Sequence, residues 1–129
     1  MASRIYYRGL RDQWEINRIK ANGTVGGRIA ANPPRAPSQI EYNNYIMTKK
    51  GSGGEFPVPM RRIRMPEFTE YTTQEHIARQ YGHRPRSGFY IKVLVDSMYV
   101  MDIDDVAFSE HGVLIRSDTP IIRGKFFPA

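Results

Sequence analysis

Apolar positions in this chain come in short alternating or clustered runs, broken often by glycine and proline. Ile5-Tyr6-Tyr7-Arg8 is a β-branched and aromatic run stopped by Gly9, which predicts a strand. Leu10 with Trp14, then Ile16 with Ile19, return at roughly helical spacing. Asp12 can cap that helix, and Asn22-Gly23 can end it, because glycine accepts the left-handed backbone of a helix terminus. Residues 24–37 read as loop, stiffened by Pro33, Pro34 and Pro37. Ser38-Gln39-Ile40-Glu41 matches the capping box and predicts a helix to about Met47. Residues 49–54 form a basic glycine-rich loop, and Pro57, Pro59 and Pro66 interrupt the stretch after it. Residues 68–72 predict a strand; Thr72 or Thr73 then caps a short helix over 74–81, closed by Gly82. After a turn-rich basic loop at 83–88, the rest is strand-dominated: 89–95, 98–103, 112–115 and 120–127.

Helices fall mainly in the first two thirds and strands in the last. That order argues for α+β over a doubly wound parallel sheet. At 129 residues the chain is expected to make one domain, since two halves would each be too small to bury a core. Its 40% hydrophobic and 25% charged content fits a folded globular protein. No run is long enough to span a bilayer, and the opening Met1-Ala2-Ser3-Arg4-Ile5 does not read as a signal peptide. Without cysteine there is no disulfide framework, thiolate nucleophile or cysteine-based zinc site. The net charge of +6 favours anionic partners: nucleic acid, a phosphorylated cofactor or an acidic protein.

A set of short elements stands in a particular order. Arg8 ends the first strand, and Glu70-Tyr71-Thr72-Thr73 precedes a helix ending in Gly82. Gly88-Phe89-Tyr90-Ile91-Lys92-Val93 comes next, then Ser109-Glu110-His111-Gly112-Val113-Leu114-Ile115 and Pro120-Ile121-Ile122. In order and spacing this set, from about Arg4 to Phe127, resembles the mono-ADP-ribosyltransferase toxins of the arginine / Ser-Thr-Ser / glutamate class. The cholera toxin and heat-labile enterotoxin catalytic subunits belong to that class. Few residues are identical.

The resemblance implies a split β-sandwich with helices packed around a cleft that takes NAD as substrate, without a metal. Arg8 would fork onto phosphate or ribose oxygens, as a guanidinium does with paired charge-assisted hydrogen bonds. Tyr71, Thr72 and Thr73 stand where the family's Ser-Thr-Ser element supports the cofactor. Tyr81 and Tyr90 are candidates for stacking on nicotinamide. The family reads Glu/Gln-x-Glu before a Val-rich strand, the second glutamate stabilising an oxocarbenium-like transition state. Here Glu110 matches the first position and Gly112 stands where the catalytic glutamate is expected. Three explanations are open: an inactivating substitution of glutamate by glycine, a catalytic Glu110 with the register shifted by two, or a non-catalytic relative. The resemblance further implies the toxic part of a larger secreted bacterial effector. It would act in the target cell's cytoplasm on a target protein, be restrained by a cognate immunity protein, and not insert in a membrane.

Two rival readings start from other residues. Arg61, Arg62, Arg64, Lys49, Lys50, Arg84 and Arg86 could follow a phosphate backbone in an RNA-binding or RNA-cleaving toxin, with His76, His83 or His111 as acid and base. Their unrelated contexts make nucleic acid the less favoured partner. A non-catalytic interaction module would account for Gly112 directly. Asp102, Asp104 and Asp105 cluster without an EF-hand pattern, and Gly23-Thr24-Val25-Gly26-Gly27 follows a helix, the wrong context for a dinucleotide fingerprint.

Overall fold

A computed structural model describes residues 2–41, 43–44, 66–102 and 111–129. Six strands, β1 (Ser3–Gly9), β2 (Phe68–Thr72), β3 (Phe89–Asp96), β4 (Val100–Asp102), β5 (Gly112–Arg116) and β6 (Arg123–Pro128), build one sheet. Their order is β4-β5-β2-β1-β3-β6, and every neighbouring pair is antiparallel. Two helices, α1 (Gln13–Asn22) and α2 (Glu75–Gly82), accompany the sheet, and residues 39–41 and 43–44 are also helical. The architecture is a small mixed α+β domain.

Helix α1 follows from local chemistry. The Asp12 carboxylate accepts the Glu15 N–H at 2.9 Å, satisfying a donor that the first turn leaves without a partner. At the other end Gly23 adopts φ 64° and donates its N–H to the Ile19 carbonyl. Ile16 and Ile19, three apart on one face, meet Tyr6, Leu10 and Val25, together with Ile91, Val93 and Val95 of β3 and Val113 and Ile115 of β5. Each such side chain, taken fully out of water, contributes about 1.5–3 kcal/mol before entropy is counted. Half of the 38–41 capping box forms: the Glu41 N–H donates to Ser38 Oγ, while the Glu41 carboxylate takes the Ser38 hydroxyl instead of its backbone N–H, both at 3.1 Å. Glu41 also pairs with buried Arg116, which reaches Glu67 and Asp118 at 3.2 Å.

On the opposite face α2 lies against one end of β1 and β3. Its first turn is held by Glu75, which accepts the Tyr90 hydroxyl at 2.7 Å. The cap differs from the sequence expectation: Gln74 is the N-cap residue, while the Thr72 hydroxyl accepts the Gln74 N–H one step earlier, at 3.1 Å. Gly82 is the last helical residue rather than the stop after it. A Cβ there would run into the Phe89 carbonyl, so glycine permits the close approach of helix and strand.

Two strands start later than expected. Ser97–Tyr99 form a 3-10 turn capped by Asp96, whose carboxylate accepts the Met98 N–H, so β4 begins only at Val100. Pro120 makes just an isolated bridge to Thr24, consistent with proline lacking an N–H for a ladder, and β6 begins at Arg123. The expected helix end near Met47, the loop at 49–54, Arg61, Arg62, Arg64, Ile103, Asp104, Asp105 and Glu110 lie outside the described residues.

One feature of the sheet positions the site. β1 pairs with β3 over seven residues, yet with β2 at one pair only, Tyr7↔Thr72. The two halves of the sheet separate from that point.

Candidate active-site cleft

The separation of β1 and β2 opens a cavity of about 280 Å³, toward the small end of ligand sites. Arg8 and Gly9 of β1, Thr72 of β2, Tyr81 of α2, Arg86 and Gly112 line it. Residues far apart in sequence reach it because β1 and β2 point their C-terminal ends to the same place from opposite directions of the antiparallel pair. The start of β5 is carried there by its own pairing, Thr72↔Gly112. The Thr73 N–H donates to the His111 carbonyl at 3.2 Å, extending that hold by one residue.

Arg8 is the fixed cation of the cleft. One guanidinium nitrogen donates to the Glu70 carbonyl of β2 at 3.0 Å, and the other pairs with Glu15 of α1 at 2.9 Å. Glu15 is itself held by the Arg11 backbone N–H at 3.0 Å. Burial alone raises the Glu15 pKa. The Arg8 charge and hydrogen bond, with the Arg11 N–H and charge, outweigh it, and the carboxyl lies below its ordinary value. Glu15 therefore stays ionised at neutral pH and fixes the direction of the guanidinium. Both terminal nitrogens are thus engaged, so a phosphate or ribose oxygen at this place would have to share them with Glu15 and the Glu70 carbonyl.

The expected site residues are distributed unevenly. Arg8, Thr72 and Gly112 meet at the cleft. Tyr71 also borders it, but its ring is buried and its hydroxyl donates to the Val25 carbonyl at 2.7 Å, which makes that side chain part of the core. Thr73 is exposed beside the cleft, its hydroxyl accepting from the Gln74 amide. Of the two stacking candidates, Tyr81 lines the cleft with 42% of its surface exposed. Tyr90 is buried, stacked on Phe127 with ring centroids 5.4 Å apart. Glu110 lies outside the described residues. Gly112 occupies the first position of β5.

Sequence reasoning missed Glu15, and it placed Arg86 only among the basic loop residues of the nucleic-acid reading, not at this cleft. Glu15 carried a signal, an acidic residue on the α1 face shared with Ile16 and Ile19, where a buried charge demands a partner. Arg86 is exposed at the cleft and makes no ion pair among the described residues. His76, His83 and His111 are all exposed, and none lines the cleft. Among the described residues no three His, Cys, Asp or Glu side chains form a metal-binding group, and no helix is long and apolar enough to cross a membrane.

Compared with protein-family models and with curated proteins, the chain finds no match.

Proposed function

We propose that this domain is a mono-ADP-ribosyltransferase that takes NAD as substrate and transfers its ADP-ribose to a target macromolecule, a protein. The observation that carries the reading is the convergence of Arg8, Thr72 and Gly112 on one cleft, at the point where the sheet separates. These are three of the segments on which the resemblance rests, brought together by the pairing of β1 with β2 and of β2 with β5. The six strands form one continuous sheet, and the single β1–β2 pair is the seam at which that family's split β-sandwich would divide.

In the reaction the bond from ribose C1′ to nicotinamide breaks and nicotinamide leaves with its electron pair. The acceptor's nucleophile then bonds to C1′ and gives up its proton. Arg8, aimed by Glu15, binds phosphate or ribose oxygens and orients the sugar. Tyr81 offers an exposed ring beside them for the nicotinamide. The step calls for a carboxylate near the start of β5 to stabilise positive charge at C1′, a contribution largest where water is excluded; Gly112 itself supplies none. Glu110 is the native carboxylate nearest that position in sequence. The biological setting follows from the same resemblance: the toxic part of a larger secreted effector, acting in the target cell's cytoplasm and neutralised by an immunity protein.

The test is label transfer from NAD to proteins of bacterial and eukaryotic lysates, run with this chain, Gly112→Glu, Glu110→Gln and Arg8→Lys, alongside calorimetric NAD binding. Transfer by Gly112→Glu alone assigns catalysis to position 112. Transfer by the unaltered chain that Glu110→Gln abolishes assigns it to Glu110. Arg8→Lys, which keeps the charge but loses the fork, is expected to weaken NAD binding. NAD binding without transfer by any variant leaves a non-catalytic binding domain. No NAD binding at all overturns the proposal.

A further inference from the structure

The face of the sheet that carries α2 is covered by that helix at one end only. Beyond it lies a groove of about 520 Å³ across β1, β3 and β6. Its floor is aliphatic, with Leu94 opposite Ile5, which is 45% exposed. Its rim is cationic: Lys92, Arg123 and Lys125.

The rim is not a set of scattered surface charges. Lys92 and Lys125 are directly opposed in the β3–β6 register, and Arg123 is opposed to Leu94, so the three cations share one face. Like charges directly opposite on a sheet repel. None of the three forms an ion pair among the described residues. The carboxylates at the two ends of this face are engaged elsewhere. Glu75 accepts the Tyr90 hydroxyl, and Asp96 accepts the Met98 N–H. The sheet thus keeps like charges around an apolar floor with no counter-charge among the described residues, an arrangement relieved by an anionic occupant.

We propose that this groove is a docking surface for an acidic, partly apolar segment of a partner protein. The segment's carboxylates would meet Lys92, Arg123 and Lys125, and its apolar side chains would cover Ile5 and Leu94. The surface is separate from the cleft, although β1 contributes to both. Single-stranded nucleic acid fits less well, because it needs free aromatic faces for its bases. Among the described lining residues the only aromatic one is Phe127, already stacked on Tyr90 and approached by the Lys125 ammonium at 5.2 Å. A second copy applied face to face would set cations against cations.

The probe is a fluorescein-labelled peptide in which glutamate alternates with valine, followed by anisotropy at low and physiological salt, with a single-stranded RNA of equal length in parallel. Binding is expected to saturate, to weaken with salt, and to shift the methyl resonances of Ile5 and Leu94. Lys92→Glu combined with Arg123→Glu is expected to weaken it roughly tenfold or more, while Arg84→Glu, an exposed charge outside the groove, leaves it unchanged. Lys92→Glu alone replaces an opposed like-charged pair by an opposite one. It is therefore expected to lower affinity while holding or raising Tm, which separates lost docking from lost folding. Absent binding, unmoved methyl resonances, or equal losses in the groove variants and Arg84→Glu would each overturn the proposal. So would RNA that binds these residues more tightly and displaces the peptide.

Discussion

Consider Gly9→Ala, a change of one methyl group at the end of β1. An alanine Cβ built at this position would stand 2.5 Å from the Tyr81 carbonyl carbon, with the Ala78 carbonyl oxygen and the Gly82 nitrogen closer still. All three are backbone atoms of α2, so no side chain can rotate away. Ordinary carbon–carbon contact begins near ~3.5 Å, so the helix must retreat by about 1 Å. A gap of that size forfeits a quarter to a half of the dispersion energy of the contacts it opens, and Ile77 and Ala78 are the buried α2 side chains that lose it. Overpacking usually costs about 1–3 kcal/mol; with only backbone to yield, the expected cost is near ~3 kcal/mol, a fall in Tm on the order of 10 °C for a chain this size. Thermal and urea unfolding followed by circular dichroism measure it. Gly82→Ala pushes the same helix off Phe89 and Ala129, so the double variant is expected to lose less than the sum of the single losses. A Tm within about 2 °C of the parent for Gly9→Ala would refute the close helix–strand approach, and with it the account of the cleft's α2 wall.

Further expectations concern the charges and hydroxyls around the cleft. Glu15→Gln strips Arg8 of its anion; with Arg8 21% exposed, the cost is about 2 kcal/mol, below the range for a fully buried pair. Because the folded Glu15 pKa is depressed, its stabilisation is present above the ordinary carboxylate range and lost as pH falls below ~4. The Glu15→Gln variant should therefore show a flatter fall in urea midpoint over that acidic range. Tyr71→Phe removes the donor to the Val25 carbonyl and is expected to cost about 1–2 kcal/mol in urea unfolding. Burial raises the Tyr71 pKa, outweighing the opposing Arg8 charge. Its stabilising contribution is complete below pH ~10 and is lost as pH rises further, so its phenolate absorbance should appear together with unfolding. Asp12→Ala removes the α1 cap at about 1 kcal/mol, measured the same way.

What the sequence made legible was mostly local. Asp12 and Gly23 bound α1 because capping is decided within a turn, and Ser38 and Glu41 find each other for the same reason. The α+β class was readable from the order of periodicities. The strand order was not, since the β2–β5 pairing is fixed by burial of Tyr71 against Val113 across a long stretch of chain. At the cleft, Arg8 and Thr72 were reached through resemblance, whereas Arg86 was readable as one basic loop residue among several but not as a neighbour of Arg8, which only the fold makes it. Tyr71 was misleading for a physical reason: strand alternation sends its ring to the core face when Thr72 faces the cleft.

The meagre pairing of β1 with β2 has a mechanical consequence. Elsewhere in the sheet, whole ladders of amides resist shear; along this seam there is the Tyr7–Thr72 pair and, beside it, the Arg8 guanidinium reaching the Glu70 carbonyl. A side chain thus stands in for missing backbone stitches. Under the proposed function, a phosphate that draws Arg8 toward itself would also loosen the stitch, letting the two leaves of the sheet part around what they receive. Ligand capture and breathing of the sheet would then be one motion, and amide exchange along the seam, with and without NAD, is the measurement that checks it.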